Sequence, residues 1–494
     1  MITYTQGKVA EGAVGDLSLP LQIIFSNSLR LGQLPDLWTE STVIPLYKKS
    51  SRFDPLNYRP VSLTSVVCKV MERVLVAALW SYINDKNLIT REQFGFRSGY
   101  STVDQLILTY NEIGKCCDEG DIVDLVFFDY SKAFDRVSHI ILLDKLYQLG
   151  ICGSILNWIR SFLFYRSMRV RVAGNLSNPC TVESGVPQGS VLGPVLFLLY
   201  INHVVSELTC NVKIFADDIK IYLGYSLTSG DEASSLLQCN IDKLVSTSSS
   251  WNLSINSEKC AVLRFSPRNC TLPFSVESPY NVNEAALQFV REHPDLGIKI
   301  EQNLKFHNHI RSRVNVAGAL TTNLLSSTIC REPDFILNVY ISHIRPQLEY
   351  ASSLWNLGYI GDSQMIEKIQ RRWTKAVATV QHLTYSERLR NLNLFSMYGR
   401  MLRADLILVW KIFNGKCAIR PTDLFERSYS HITRGHAFKI QVDRSRLEIR
   451  KRSFACRVVP FWNNLASDTV IASSLNRFKS LLHRDLGDEL FKFY

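Results

Sequence analysis

The sequence lacks the features that would assign it to several broad classes of protein. Its twelve cysteines include no Cys-x-x-Cys pair and follow no segment resembling a signal peptide, so we expect free thiols in a reducing compartment. The longest apolar run, residues 191–201, is too short to span a bilayer. No internal repeat or long low-complexity run is present. The 494 residues, 46% of them apolar, therefore predict a large folded protein of about two to four domains.

Excess positive charge is absent from most of the chain and concentrated at its end. The whole sequence has a formal net charge of +11, from 56 Lys and Arg against 45 Asp and Glu. Residues 361–494 hold 24 of the basic and 12 of the acidic residues, which leaves 32 basic and 33 acidic residues in 1–360. A basic surface is either simply solvated or follows a phosphate backbone, and the acidic motifs of this chain favour the second interpretation.

Hydrophobic periodicity predicts an α+β protein. Residues 65–83 have the apolar spacing of an amphipathic helix, and residues 122–128 form the apolar run of a strand covered on both faces. Residues 212–223 alternate as two short strands. Beyond residue 300 the pattern is mostly helical, with helices expected over 304–325 and 334–355.

Three acidic residues stand where a carboxylate is unfavourable unless a cation binds. Asp129 ends the apolar strand, and Asp217 and Asp218 are adjacent where the two short strands must meet. Magnesium takes a few carboxylates and leaves room for water and substrate phosphates. Two such ions, about 3.5–4 Å apart, would clamp the attacking and leaving oxygens of an in-line displacement. The alternative is that Asp129 caps a helix and the pair are plain turn residues, but the order of the motifs favours the metal interpretation.

These motifs resemble those of reverse transcriptases from retrotransposons without long terminal repeats, of the Jockey-like long interspersed type. Phe-Phe-Asp-Tyr-Ser-Lys-Ala-Phe-Asp (127–135) is similar to their motif A, and Gly-Val-Pro-Gln-Gly-Ser-Val-Leu-Gly-Pro (185–194) to motif B. Phe-Ala-Asp-Asp (215–218) is similar to motif C, with Phe where Tyr is usual. Residues 58–63 and 94–97 resemble the fingers motifs, and residues 253–260 and 296–298 resemble motifs D and E.

The resemblance implies a right-hand polymerase fold of class α+β, with fingers, a palm bearing an antiparallel sheet, a helical thumb and a mainly helical, basic C-terminal domain. The expected divisions are an N-terminal extension (1–40), fingers (41–120), palm (121–300, with a fingers insertion around 145–180), thumb (301–380) and C-terminal domain (381–494).

The resemblance also implies roles for individual residues. Asp129 and Asp217 would be the principal metal ligands, assisted by Asp218 and the carbonyl of Tyr130. The ring of Phe134, at the steric-gate position, would collide with a ribose 2′-hydroxyl and select deoxynucleotides. The alternative for Phe134 is an ordinary core ring.

Further residues would contact the substrates. Gln188 and Gly189 would lie against the nascent base pair. Lys48 and Arg59 would hold the incoming triphosphate, and Lys259 would protonate the departing pyrophosphate. Phe215 would pack beside the primer end, and Arg97 would contact the primer–template. For each basic residue the alternative is a solvated surface charge.

The same resemblance implies two Mg²⁺ ions, with Mn²⁺ as a substitute, and three kinds of partner: an RNA template, a DNA primer or nicked target DNA, and deoxynucleoside triphosphates. An element-encoded RNA-binding protein is a further candidate partner. We expect no membrane association and an intracellular ribonucleoprotein of nucleus and cytoplasm. Zinc is not expected, because Cys417, His431, His436 and Cys456 are widely spaced.

The predicted function is therefore RNA-directed DNA polymerisation, and we expect no endonuclease domain in this chain because a zinc knuckle is missing. One alternative is an RNA-dependent RNA polymerase, which would carry an Asp in place of Phe134 and lack Val186-Pro187-Gln188. The other is an inactive or domesticated copy that only binds RNA. The intact Asp129, Asp217 and Asp218 argue against decay.

Overall fold

A computed structural model describes residues 14–48, 50–267, 277–428 and 436–493 of the chain. Its strands are β1 Glu40–Tyr47, β2 Tyr58–Leu63, β3 Ile122–Phe128, β4 Ser167–Val172, β5 Asn175–Leu176, β6 Cys180–Thr181, β7 Asn211–Phe215, β8 Asp218–Tyr225, β9 Ala261–Phe265, β10 Glu277–Val282, β11 Ala285–Val290, β12 Glu292–Asp295 and β13 Ile298–Glu301.

The helices fall into two groups. Those before residue 300 are α1 Val14–Leu31, α2 Asp36–Thr39, α3 Val66–Asp85, α4 Thr102–Glu119, α5 His139–Gln148, α6 Gly153–Leu163, α7 Gly193–Ile201 and α8 Gly230–Ser250. Those after it are α9 His307–Ser327, α10 Pro333–Val339, α11 Arg345–Glu349, α12 Ser352–Trp355, α13 Ile360–Lys375, α14 Tyr385–Asn391, α15 Met397–Phe413, α16 Pro421–Leu424, α17 Glu448–Lys451, α18 Phe454–Arg457, α19 Val459–Asn463, α20 Ser467–Val470 and α21 Leu475–Leu486.

A six-stranded sheet in the order β10-β11-β9-β3-β8-β7 forms the centre of the molecule. Its middle strand β3 is buried along its whole length and is antiparallel to both neighbours. Leu125 and Phe127 belong to a core shared with α4 and the helices after residue 300, whereas Val126 and Phe128 belong to a core shared with α3, α5, α6 and α7. The prediction of a strand covered on both faces is confirmed, because apolar side chains alternate into two cores.

Two smaller sheets flank this centre. In one, β1 pairs antiparallel with β2 and parallel with β4, so the hairpin joining β1 to β2 projects from a sheet that also includes β5 and β6. In the other, β12 and β13 form a tight hairpin. Its turn residues Leu296 and Gly297 have φ values of 46° and 85°, which is the left-handed geometry of hairpin turns that follow the strand twist.

The predicted α+β class is confirmed, since the strands lie between Glu40 and Glu301 in the described parts of the chain. The single helix predicted over 334–355 is wrong. A π-helical turn, Tyr340–Ile344, separates α10 from α11, and Ala351 at φ 53° ends the run before α12. Pro346 accounts for the widened turn, because it has no N–H and its ring excludes the carbonyl one turn earlier.

The C-terminal helices pack on the central part of the molecule. The carboxylate of Asp118, near the end of α4, accepts hydrogen bonds from the backbone N–H groups of Arg446 and Leu447 at 2.9 and 2.5 Å. The guanidinium of Arg450 donates to Asn111 of the same helix. None of the helices that the structure describes combines the length and apolar character needed to cross a bilayer.

Candidate active site

Strand register brings together carboxylates that are far apart in the chain. The last pair between β3 and β8 is Phe128 opposite Ile219, so Asp129, the next residue, lies beside Asp218 at the start of β8. The hairpin between β7 and β8 closes on Ala216 and Asp217, because Phe215 pairs with Asp218. Asp129 and Asp217 are therefore neighbours at one end of the central sheet, although 88 positions separate them in the sequence.

Two carboxyl groups at this end of the sheet, those of Asp217 and Asp218, have raised pKa values. Burial raises the pKa of Asp217, and the charge of Asp129 raises it further, while Arg59 and Lys48 lower it. Burial and the charges of Asp217, Asp295 and Asp129 raise the pKa of Asp218 to about 7. Clustered carboxylates that repel each other in this way are stabilised in the charged form when a divalent cation binds between them.

Lys259 supplies positive charge beside these carboxylates. Its ammonium lies 2.7 Å from Oδ2 of Asp129. The segment that carries it runs along the residues after β3, because Asn256 donates its N–H to the carbonyl of Asp129 at 2.8 Å and Ile255 bridges Tyr130. Lys259 therefore reaches the centre of the site from the turn Ser257–Lys259.

The site matches a metal that completes its coordination with substrate. Among the described residues, no three His, Cys, Asp or Glu side chains are arranged to hold a metal ion unaided. Mg²⁺ characteristically uses one or two carboxylates and fills its remaining positions with waters and phosphate oxygens. Asp129 and Asp217 fit that requirement, since they are adjacent, partly exposed carboxylates at one end of the sheet.

Three of the four residues that were considered as zinc ligands, Cys417, His436 and Cys456, have other contacts. His436 contacts the carbonyl of Trp462 at 3.0 Å, the thiol of Cys417 lies 3.8 Å from the carbonyl of Ile419, and the thiol of Cys456 lies 3.6 Å from the hydroxyl of Ser445. His431 lies outside the described residues.

Phe134 is held between two other aromatic rings. It lies in a 3-10 turn, Ala133–Asp135, and its half-buried ring stacks on the ring of Phe197 at 4.1 Å between centroids and 15° between planes. Phe96 meets it edge-on at 6.0 Å. The carbonyl of Phe134 accepts a hydrogen bond from the N–H of Val186 at 2.9 Å, which ties the turn to the loop before α7. A ring fixed on two sides can act as a steric barrier.

That loop holds Gln188 and Gly189 against strand β2. The side-chain amide of Gln188 donates to Oδ1 of Asp135 at 2.8 Å. The backbone carbonyl of Gln188 accepts a hydrogen bond from the N–H of Ser62 at 2.7 Å. Gly189 has φ 120°, and an added Cβ would lie 2.5 Å from the carbonyl oxygen of Ser62. Glycine is therefore required for the close approach of the two backbones.

The basic residues predicted to contact substrates divide into two groups. Lys48 and Arg59 are exposed at the free end of the β1–β2 hairpin, and their charges act on Asp217. Arg97 instead donates to the carbonyls of Thr90 and Gln93 at 2.8 and 3.2 Å, so part of its guanidinium holds its own loop together. Phe215, half-buried, packs at the end of β7 directly before the Ala216–Asp217 turn.

Sequence reasoning missed Gln93, a fully buried residue that holds the hairpin turn. Its Oε1 accepts hydrogen bonds from the N–H groups of Gly95 at 2.8 Å and Ala216 at 3.0 Å. Ala216 has φ 58°, a conformation that non-glycine residues adopt at a cost of about 1 kcal/mol or more. An added Cβ on Gly95 would lie 2.5 Å from the N–H nitrogen of Ala216. The only sequence signal was a glutamine directly before the Phe-Gly-Phe-Arg motif.

Glu72 was also missed. It is fully buried in α3, and its Oε2 accepts from the N–H groups of Val191 and Leu192 at 2.6 and 2.8 Å, just before α7. Burial raises the pKa of its carboxyl group. This carboxyl group fixes the end of the loop that carries Gln188, and its sequence signal was an acidic residue on the apolar, buried face of an amphipathic helix.

The motif resemblance predicts nucleotide addition, and replacing Gln93 by leucine is expected to slow this reaction by about 10- to 100-fold. Losing the acceptor of two buried N–H groups costs about 1–3 kcal/mol and loosens the turn that carries Asp217. Gln105→Leu is the matched control, because Gln105 is equally buried in α4 and its amide nitrogen has no hydrogen-bond partner in the described chain. Single-turnover rates and melting temperatures of both variants would separate the two effects. Equal rates in the two variants would show that Gln93 does not position the turn.

The sequence of this chain is similar to those of known polymerases. Residues 47–300 match the family described as "Reverse transcriptase (RNA-dependent DNA polymerase)". The chain is 28% identical over 370 residues to the Drosophila melanogaster "Probable RNA-directed DNA polymerase from transposon X-element", covering 73% of this chain and 40% of that protein. It is also 28% identical over 376 residues to the "RNA-directed DNA polymerase from mobile element jockey" of the same species, covering 72% and 40%.

The chain thus spans 40% of the length of each of these two relatives. Among solved structures, it is similar to a telomerase from Candida albicans in complex with a TWJ fragment of telomeric RNA. The TM-score is 0.40 at 12% identity, covering 73% of this chain and 68% of that one. The sequence-based prediction of a resemblance to polymerases of transposons such as jockey is confirmed by the sequence matches.

Proposed function

Because this chain belongs to the reverse transcriptase family, we propose that it copies an RNA template into DNA by adding deoxynucleotides to a primer 3′-hydroxyl. One observation carries the proposal. Asp129, Asp217 and Asp218 meet at one end of the central sheet, and Lys48 and Arg59 of the β1–β2 hairpin act electrostatically on Asp217. This combination of clustered carboxylates and nearby cations suits a nucleoside triphosphate bound through metal ions.

Asp129 and Asp217 would hold the two Mg²⁺ ions, or Mn²⁺ in their place, with help from Asp218 and the carbonyl of Tyr130. The bound ions supply the Lewis-acid stabilisation of the attacking and leaving oxygens. The protein's own contribution is to fix these ligands, and the turn held by Gln93 is one example.

The remaining residues select and orient the nucleotide. Lys48 and Arg59 would hold the triphosphate through charge, since both are exposed and act on Asp217. The ring of Phe134 would exclude a 2′-hydroxyl, because its stack on Phe197 prevents it from moving aside. Lys259 would give its proton to the departing pyrophosphate, and its contact with Asp129 supports this role.

Gln188 and Gly189 would border the nascent base pair, while Phe215 and Arg97 would contact the primer end and primer–template. The divisions into fingers, palm, thumb and C-terminal domain given above are part of the same proposal. So are the partners: RNA template, primer or nicked target DNA, deoxynucleotides and a nuclear and cytoplasmic ribonucleoprotein of a retrotransposon.

Primer extension on an RNA template tests the proposal directly. We expect Mg²⁺-dependent extension of a DNA primer with deoxynucleotides and little or none with ribonucleotides, and chelation of Mg²⁺ should stop the reaction. Preferential use of ribonucleotides would identify an RNA polymerase instead. RNA binding without extension under Mg²⁺ and Mn²⁺ would identify a remnant that only binds RNA. Either result would overturn the proposal.

A further inference from the structure

A cavity of about 580 Å³ lies where the C-terminal helices meet the central part of the molecule, away from the catalytic carboxylates. Its walls come from the start of α4, from residues 349–353, and from α15, α21 and the segment after α15. Five of its lining residues are basic and two are acidic. The basic residues are Arg400, Arg403, Lys411, Lys416 and Lys479.

The negative charges of this cavity are already engaged. Glu349 accepts the guanidinium of Arg400 through both carboxylate oxygens. Asp104 is almost fully buried, accepts the backbone N–H of Ala418 at 3.4 Å and interacts electrostatically with Lys411. The two acidic residues can therefore offset at most two of the five positive charges of the cavity.

The positive charges are largely unmatched. Arg403 donates its Nε to the ring nitrogen of His483 at 2.8 Å and so keeps its charge without an acidic partner. The ammonium groups of Lys411, Lys416 and Lys479 form no ion pair with any described residue. Five cations against two carboxylates thus line one cavity, and this excess gives it a positive potential that attracts anions.

The first turn of α4 adds to this field. α4 has 18 residues, and Ser101 caps it by accepting the N–H of Asp104 at 3.1 Å. Its N-terminal end carries a partial positive charge and forms one wall of the cavity. The neighbouring Tyr350 links this wall to the turn of the β12–β13 hairpin, because its hydroxyl contacts Thr102 at 3.0 Å and donates to the carbonyl of Leu296 at 2.8 Å.

We propose that this cavity binds the phosphate backbone of the nucleic acid that the enzyme copies, at a site distinct from the catalytic centre. The inference rests on the proposed function for the identity of the strand. Lysine side chains bind phosphates as flexible point charges without requiring a fixed geometry. Tyr100 is the one aromatic residue lining the cavity as described, so base stacking contributes little and binding is independent of sequence.

The test replaces Lys411, Lys416 and Lys479 together by glutamine in the full chain. The matched control carries Lys86→Gln, Lys115→Gln and Lys243→Gln together and so loses the same charge elsewhere. Lys86 directly follows α3, Lys115 lies near the end of α4, and Lys243 lies in α8. Fluorescence anisotropy with a labelled RNA–DNA primer–template would give the dissociation constant over a series of salt concentrations. Each lost phosphate contact should reduce the slope of log affinity against log salt by about 0.7–0.9.

We expect the cavity variant to lose about 2–3 units of salt slope and to bind about 10- to 100-fold more weakly at low salt. The control should keep a slope close to that of the unmodified protein. Extension at saturating primer–template should keep its kcat while the KM for primer–template rises, because the catalytic residues are untouched. The arginine variant, with Lys411, Lys416 and Lys479 all replaced by Arg, should keep both slope and affinity.

Three outcomes would overturn the proposal. Equal slopes in the cavity and control variants would show that these lysines carry only general charge. Loss of affinity in the arginine variant as well would indicate a structural role. Loss of sodium tripolyphosphate binding with an unchanged nucleic-acid slope would make a free polyphosphate the ligand. Failure of the unmodified protein to extend any primer would count against the proposed function alone, because the binding measurements do not require catalysis.

Discussion

Asp217→Asn is expected to lower primer extension by at least about 10³-fold and to leave RNA binding nearly unchanged. The amide has the shape of the carboxylate but not its charge, so the loss falls on metal binding at the centre of the site. A 10³-fold loss corresponds to about 4 kcal/mol of transition-state stabilisation, which is reasonable for the ligand of an ion that contacts the reacting phosphate. Single-turnover extension would measure the loss of activity, and fluorescence anisotropy with labelled RNA on the same preparation would measure RNA binding.

Asp231→Asn provides the control, because Asp231 is an exposed carboxylate at the start of α8, outside the site. It should leave extension unchanged. If the Asp217→Asn variant extends the primer at more than a tenth of the rate of the unmodified protein, Asp217 is not a metal ligand. A parallel loss of extension and RNA affinity would mean that Asp217 supports the fold instead of the chemistry.

Phe134→Val is expected to increase ribonucleotide incorporation by up to about 10²-fold relative to deoxynucleotide incorporation. The reason is steric, since removing the ring opens space for a 2′-hydroxyl, and discrimination against one added hydroxyl is typically about 10² in such pockets. Deoxynucleotide use should fall less. The ratio of kcat/KM for matched ribo- and deoxynucleotides on one RNA template measures the effect.

Phe96→Ala is the companion variant. It removes the ring that meets Phe134 edge-on but leaves the stack of Phe134 on Phe197 in place. Sugar discrimination should therefore change little. If Phe96→Ala and Phe134→Val relax discrimination equally, general loosening of the pocket is responsible, and unchanged discrimination in both would make Phe134 an ordinary packing residue.

The sequence predicted those features that depend on local pattern. The apolar run of β3 indicates that both faces of this strand are buried, because successive side chains of a strand point to opposite faces of its sheet. The acidic residues could be recognised for a similar reason, since a charged residue that ends an apolar strand or occupies a tight turn is conspicuous by itself. The concentration of positive charge after residue 360 is likewise a property of composition.

By itself, then, the sequence determined the α+β class, the order of the motifs and the three carboxylates. Only the tertiary structure decided how distant segments support them. The hydrogen bond from Ala216 to Gln93 joins residues 123 positions apart, and that from Leu192 to Glu72 joins residues 120 apart. Lys411 and Lys479 share a cavity with Asp104 only because the C-terminal helices pack on α4. Such contacts depend on register and packing between elements, which no local pattern of residues specifies.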